Sequence, residues 1–489
     1  MAAIFCLIFF NYNLLRGAKD ALLITAAGAE AIPFIKVWVM IPMALISTLL
    51  FTRFSNRYSR DKVFQIMLGS FLAFFFLFTF FLFPFRESLH LHGLADFLQD
   101  FLPTGCKGFI SLIRYWSFTL FYAMCDLWST IILTVLLWGF ANEVTSVKEA
   151  KRFYALFMVG ANFSGVISGK TAVLLSSNSF NPHLFYGTTA WEQSVLYLNL
   201  TVIVIGLGVM AIYRWFSKNI LSPAHNLHFA KPEKIKMSLR KNFSYLAKSK
   251  YLIAIAAIVV TYNLALNLIE VVWKDQVNIA NPDPSHYLAY MGGIMTDTGI
   301  IATLISLFIS GFILRKFSWT FNALITPVVM IATGFVFFFF LLFQNFSISH
   351  SIAASMGSTP LFLSILFGGL QNALSRGSKY TFFDATKEIA FIPLSAESKL
   401  KGKAAIDGVG SRIGKSGGAI LYQGLLMIFG SLSASAPVVS ALFLAVVVIW
   451  VGAVMTLGKQ FNSLVALNEK LPIPTPEKRE KATEIFVGE

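Results

Sequence analysis

Charge is what this sequence has least of. Asp, Glu, Lys and Arg make up 13% of its 489 residues, against roughly 25% in soluble globular proteins. So few polar groups cannot cover a water-facing surface, which excludes a soluble enzyme as the main reading. Cysteine is scarce too. Cys6, Cys106 and Cys125 have no metal-ligand spacing, so neither a disulfide framework nor a zinc site is available. The seven histidines (His90, His92, His183, His225, His228, His286 and His350) fall in connecting segments, which argues against a histidine proton relay within a membrane. A basic leader with a small-residue cleavage site is also missing, so the N-terminus reads as a first span. Its first Lys or Arg is Arg16, which suggests a chain that begins inside a helix, short of a cytoplasmic extension.

Apolar residues are what it has in abundance: 56% of the chain, with fifty Phe and a mean hydropathy of +0.70. A spanning helix needs roughly 20 predominantly apolar residues. Apolar runs near 1–25, 30–54, 63–85, 111–141, 153–175, 191–216, 251–274, 288–314, 317–345, 359–384, 404–430 and 434–458 predict twelve such spans. The connections test that count. Those after even-numbered spans are basic: Arg57, Arg60 and Lys62; Lys148, Lys151 and Arg152; Lys218 to Lys250; Arg315 and Lys316; Lys399, Lys401 and Lys403; then the tail from Lys459 to Lys481. The odd ones are poor in Lys and Arg, with none in 176–190 or 346–358. Cytoplasmic loops collect Lys and Arg, so the alternation predicts an even number of spans with both termini cytoplasmic. The net charge of +15 is then orientation charge and not a sign of nucleic-acid binding.

The longest basic connection divides the chain into an N-terminal six-helix bundle (1–217), a cytoplasmic linker (218–250), a C-terminal bundle (251–458) and a tail (459–489). At an offset of 250 residues, Tyr12-Asn13-Leu14 falls on Tyr262-Asn263-Leu264, Asp20 on Glu270, Lys151 on Lys401 and Gly160 on Gly410. A parallel repeat of two six-helix bundles is the major-facilitator arrangement, with substrate near the midplane. The stretch RFSNRYSRDK (53–62) is similar to the basic loop after the second helix of that superfamily, and also serves as plain orientation charge.

A charge near the middle of a span costs about 2.5–3.5 kcal/mol, so each one asks for a partner or a function. The first span carries Asn13, Arg16 and Asp20 on one face, with Lys19 beside them; Arg16 and Asp20 have the spacing of a self-neutralising pair, which leaves Lys19 over. Asp126 in the fourth span has Tyr122, Ser129 and Thr130 at i−4, i+3 and i+4. Asn263, Asn267, Glu270 and Lys274 form a polar stripe along the seventh, where Glu270 and Lys274 have the spacing to pair locally. The tenth holds Asn372, Arg376, Lys379, Tyr380 and Asp384, with snorkelling an alternative for Lys379. In the eleventh, Asp407, Ser411 and Lys415 share a face, Arg412 lies between, and Gly410, Gly414 and Gly418 permit close helix contact.

Gly414-Lys415-Ser416 invites reading as a P-loop, but Val409 stands where that motif needs glycine, so no ATPase is implied. Arg16, Lys19, Lys274, Arg376, Lys379, Arg412 and Lys415 outnumber Asp20, Asp126, Glu270, Asp384 and Asp407. A cation excess in a low-dielectric cavity suits a polyanionic, phosphate-bearing substrate, since Lys and Arg replace the water its oxygens lose.

The segments NYNLLRGAKDALL (11–23), LWGFANEVTSVKEAKRFYALF (137–157), LNLIEVVWK (266–274), KYTFFDATKEIAFIPL (379–394) and GKSGGA (414–419) resemble the ATP/ADP translocases of obligate intracellular bacteria and plastids, the nucleotide transporter family. The resemblance runs over nearly the whole chain. It implies an all-α membrane protein of twelve helices in two bundles, major-facilitator-like and unrelated to the six-helix mitochondrial carriers, that imports ATP and exports ADP plus phosphate. It also implies a bacterial inner membrane, a monomer and no cofactor or metal. The family's intramembrane charges fall on Lys19, Asp126, Glu270 and Lys415. Asp126 departs from the plastid pattern, which has Glu there, and the segment from Arg86 to Gly108 lies outside the shared motifs.

On this reading Arg16, Lys19, Arg412 and Lys415 bind phosphates from both halves, so that nucleotide relieves their mutual repulsion and permits alternating access. Tyr122, Trp128 and Tyr262 are the candidates to stack on adenine. Two alternatives stay open. One is a proton-coupled importer of broader nucleotide specificity, using Asp126 or Glu270; the other is a non-transporting sensor or scaffold whose basic loops bind anionic lipid.

Overall fold

The computed structural model describes residues 1–144, 147–221, 249–394, 402, 406 and 411–470. Most of the basic connection, Asp407 and Gly410 of the eleventh run, and most of the tail lie outside them. The described chain is nearly all helix. Its long helices are α1 (Ala2–Ala27), α2 (Ala31–Arg57), α3 (Arg60–Leu82), α4 (Trp116–Ala141), α5 (Val147–Ser176), α6 (Ala190–Asn219), α7 (Lys250–Ala280), α8 (Pro284–Leu304), α9 (Trp319–Leu342), α10 (Pro360–Ala390), α11 (Ser411–Phe429) and α12 (Leu432–Ala466). Seven of these, α2, α3, α4, α6, α7, α9 and α12, are long and apolar enough to cross a membrane. The helix Ser347–Ser355 and α10, bent by 73° at their junction, make an eighth if they form one broken span. α1 has spanning length but is too polar to count among them, because it carries Asn11, Asn13, Arg16, Lys19 and Asp20.

Helix starts follow local chemistry. The Thr189 hydroxyl accepts from the Glu192 backbone N–H at the start of α6 (3.3 Å). Ser318 does the same for α9 from Phe321 (3.3 Å), and Thr359 for α10 from Phe362 (3.2 Å), with Pro360 in the first turn.

The chain divides into two compact units. One is 1–230 with 274–303 and 423–432; the other is 231–273 with 304–422 and 433–489. In the first, α1 is a central element, its apolar face of Ile4, Phe5, Ile8, Leu14 and Leu15 buried. Phe5 stacks on Phe157 of α5 at 4.5 Å, and Asn11 donates to the Val202 carbonyl of α6 at 2.9 Å. In the second, Tyr262 of α7 meets Phe383 of α10 and Trp450 of α12 at 4.7 and 5.7 Å.

Glycine permits one especially close crossing in the first unit. A Cβ at Gly169 of α5 would lie 2.5 Å from the Gly292 carbonyl and 2.8 Å from the Thr296 nitrogen of α8. Both neighbours are backbone, so neither can swing away. Gly169→Val is therefore expected to destabilise the protein by about 1–3 kcal/mol, the usual penalty of an overfilled contact, read as a lower thermal midpoint in detergent; an unchanged midpoint refutes it.

The fourth apolar run behaves differently from the expectation of one span over 111–141. The helix breaks at Tyr115, and Lys107–Arg114 is a separate helix of eight residues. Arg114, the last residue of that helix, pairs with Asp96 at 2.6 Å. The preceding segment forms the amphipathic helix His92–Phe101, whose Ala95 joins Cys106 and Ile110 in a small core against Leu98 and Leu102.

His90 in this segment is buried and shares a 2.8 Å hydrogen bond with Ser117. Burial lowers its pKa from the ordinary histidine value to about 4, against the opposing pull of Glu87. An unfolded histidine takes up its proton first as pH falls, so the folded state loses stability from about pH 6.5 down towards pH 4. Thermal midpoints at pH 7 and 4.5 are expected to differ more in the unaltered protein than in His90→Gln. Equal differences overturn this.

Candidate functional site

In the first unit, four of the charges that lipid would penalise form a single chain. The Lys19 ammonium lies 2.7 Å from Asp126 Oδ1 and 3.9 Å from Asp20 Oδ1, and Asp20 Oδ2 lies 2.8 Å from Lys274. Helix geometry accounts for the fan. Lys19 and Asp20 are consecutive on α1 and so diverge by about 100°, which lets one reach α4 while the other reaches Lys274 on α7. Tyr122, one turn before Asp126, puts its ring under Lys19 with the ammonium 3.6 Å from the centroid. Side-chain exposure is 0% for Asp20, 5% for Lys274 and 8% for Lys19, but 36% for Asp126. The carboxylate that holds Lys19 is thus the accessible end of the chain. Arg16 and Asn13 sit half-buried on α1.

π-helical turns recur along the described chain, and the longest lies here. After Asp126, α4 winds as a π-helix over Trp128–Leu137, a form that is rare and frequent at functional sites.

In the second unit, Arg376 of α10 pairs with Glu270 of α7 at 3.1 Å and donates from Nε to Asn372 Oδ1 at 2.7 Å. A short π-helical turn, Lys379–Phe383, follows, and Lys379 pairs with Asp384 at 3.1 Å. Gly414 and Gly418 of α11 lie against Val260, Asn263 and Asn267 of α7, and Asn267 donates to the Lys415 carbonyl at 2.9 Å. The Lys415 side chain is exposed. Arg412 lies in α11 with its side chain outside the described ones, and Asp407 lies outside the described residues.

The charges therefore pair across helices more than along them. Lys274 meets Asp20 and Glu270 meets Arg376, where spacing alone allowed Glu270 with Lys274 and Arg16 with Asp20. A signal for the second pair was present in the chain: the offset of 250 that carries Asp20 to Glu270 also carries Asp126 to Arg376. Positions 20 and 270 are both acidic, whereas 126 is acidic and its counterpart 376 basic, so the second unit sets a cation against its acid where the first has two carboxylates. The three aromatic candidates are enclosed: Tyr122 and Tyr262 are each 1% exposed and Trp128 is 0%. Stacking on adenine would require them to uncover a face.

Residues 1–461 match the family model described as "TLC ATP/ADP transporter". The chain belongs to that TLC ATP/ADP transporter family. It is 42% identical over 478 residues to ADP,ATP carrier protein 1 of Chlamydia pneumoniae, covering 96% of this chain and 92% of the relative. To the chloroplastic ADP,ATP carrier protein 1 of Arabidopsis thaliana it is 40% identical over 463 residues, 94% and 73% of the two chains. Among solved structures, a bacterial homologue of the iron transporter ferroportin in an inward-facing state matches with a TM-score of 0.54 at 14% identity, covering 93% of this chain and 98% of that one. A D-xylose-proton symporter matches at 0.55 and 11%, covering 93% and 95%. Likenesses so distant in sequence bear on the fold alone, which is the major-facilitator-like one expected. Family membership makes the protein a multi-pass membrane transporter and not an enzyme.

Proposed function

We propose that this transporter exchanges ATP for ADP by alternating access, importing ATP and exporting ADP with phosphate, as a monomer in a bacterial inner membrane with both termini cytoplasmic. The halves that alternate are 1–217 and 251–458, joined by the basic linker 218–250. The observation that carries the reading is the buried Lys19–Asp126 pair at 2.7 Å, with its carboxylate accessible and its ammonium resting on Tyr122. At about 4 Å and an effective dielectric near 20, each unit charge pair is worth about 4 kcal/mol. A polyphosphate therefore competes well with one carboxylate for the ammonium. Without nucleotide, Asp126 holds Lys19 neutralised; with nucleotide, the phosphate takes its place. Glu270 and Arg376 offer a second such competition, with phosphate replacing Glu270 at Arg376. Arg16, Arg412 and Lys415 add to the phosphate-binding set, with Asn267, Tyr262, Lys274 and Lys379 lining it and Asn13, Asp20, Asp384 and Asp407 supporting it.

The test is uptake of labelled ATP into vesicles preloaded with ADP and into empty ones. Preloaded vesicles are expected to take up at least ten times more. Equal uptake sinks obligatory exchange, and uptake abolished by an uncoupler while homoexchange persists establishes the proton-coupled alternative.

A further inference from the structure

A polar cavity lies in the first unit, beyond the charge chain along α1. It has a volume of about 420 Å³, within the range of small-molecule sites. Its walls are the end of α1 at Ala26–Ala29, Glu30, Asp275 of α7, and Lys107, Arg114 and Tyr115 of the segment between α3 and α4. Ala26 is six residues beyond Asp20, so the cavity begins about 9 Å further along α1 than the charge chain. It also borders the residue next to Lys274, the far end of that chain.

The cavity is built and not incidental. A Cβ at Gly108 would collide with the Glu30 carbonyl, and one at Gly105 would come within 2.6 Å of the Met427 Cα, so the short helix Lys107–Arg114 is seated backbone-to-backbone. Gly28 turns the chain at φ +80, a conformation that glycine takes without strain. Arg114 is held by Asp96 at 2.6 Å. Among the described residues, Lys107 and Glu30, which both line the cavity, make no ion pair.

We propose that this cavity is a capture site for a nucleoside polyphosphate, occupied before the nucleotide reaches Lys19. Lys107 and Arg114 bind the phosphate oxygens as charge-assisted donors, while Glu30 and Asp275 accept from the ribose hydroxyls, an interaction that carboxylates make with nucleotides elsewhere. The inference rests on the nucleotide reading above but uses none of its residues.

Lys107→Glu, with Lys107→Arg as control, tests it in reconstituted vesicles. The apparent KM for ATP on the cavity's side is expected to rise about tenfold in Lys107→Glu, with turnover at saturation within twofold and the KM for ADP on the opposite side unchanged; Lys107→Arg keeps the original KM. An unchanged KM, or equal loss on both sides, overturns the proposal. Equilibrium binding of labelled ATP to the detergent-purified Lys19→Gln protein provides an independent reading. Binding that persists there, is lost in Lys19→Gln/Lys107→Glu, and is competed by ADP better than by phosphate or adenosine supports the site; binding indifferent to Lys107 overturns it. If the unaltered protein exchanges neither nucleotide, the transport reading fails and the binding measurement still decides this one.

Discussion

Lys19→Gln is expected to lower ATP/ADP exchange at least 100-fold. The ammonium is 2.7 Å from Asp126 and 3.6 Å from the centre of the Tyr122 ring, so glutamine leaves the accessible carboxylate facing the space where phosphate is to bind. The loss of one charge-assisted contact, up to about 3 kcal/mol, already corresponds to roughly two orders of magnitude, and repulsion from Asp126 adds to it. One further variant separates binding from folding. Lys19→Gln/Asp126→Asn removes both charges, which is often tolerated where removing one is not, so its thermal midpoint should return towards the original while exchange stays low. If exchange returns with the midpoint, Lys19 is a structural cation and not a phosphate ligand.

Asp20→Asn is expected to have the largest effect on stability. Asp20 is fully buried and is the anion shared by Lys19 and Lys274, at 3.9 and 2.8 Å. Its neutralisation removes the carboxylate that Lys19 and Lys274 share, and breaking a buried pair from one side costs about 3–5 kcal/mol. The expected result is poor recovery of folded protein from membranes and a markedly lower midpoint. Asp20→Asn/Lys274→Met, which removes a cation along with the anion, should recover most of the loss. A single variant as stable as the original would show that water or a counter-ion reaches the pair.

Much of this was legible in the residues, and the reasons differ from element to element. Lipid penalises every misplaced charge, so Lys19, Asp20, Asp126, Glu270, Lys274 and Arg376 stood out against their apolar runs. Periodicity describes one helix at a time, however, and could not say which charges meet. It allowed Arg16 with Asp20 and Glu270 with Lys274, while tertiary packing brought Asp20 to Lys274 and Glu270 to Arg376. The break at Tyr115 was hidden for a related reason: Phe109, Ile110, Leu112 and Ile113 continue the apolar run, and the pairing of Arg114 with Asp96 is a contact between segments. The π-helix after Asp126 has no sequence signature, since its residues, WSTIILTVLL, suit an α-helix equally well.

The chain Asp126–Lys19–Asp20–Lys274 sums to zero charge, as do the pairs Glu270–Arg376 and Lys379–Asp384. A membrane potential acts at about 2.3 kcal/mol per elementary charge per 100 mV, and on these balanced groups it exerts almost no net force. The voltage is then felt chiefly by the cargo. ATP carries one more negative charge than ADP, but the phosphate proposed to leave with ADP carries between one and two, so an interior-negative membrane would not oppose that exchange, and its net direction would follow the nucleotide and phosphate gradients.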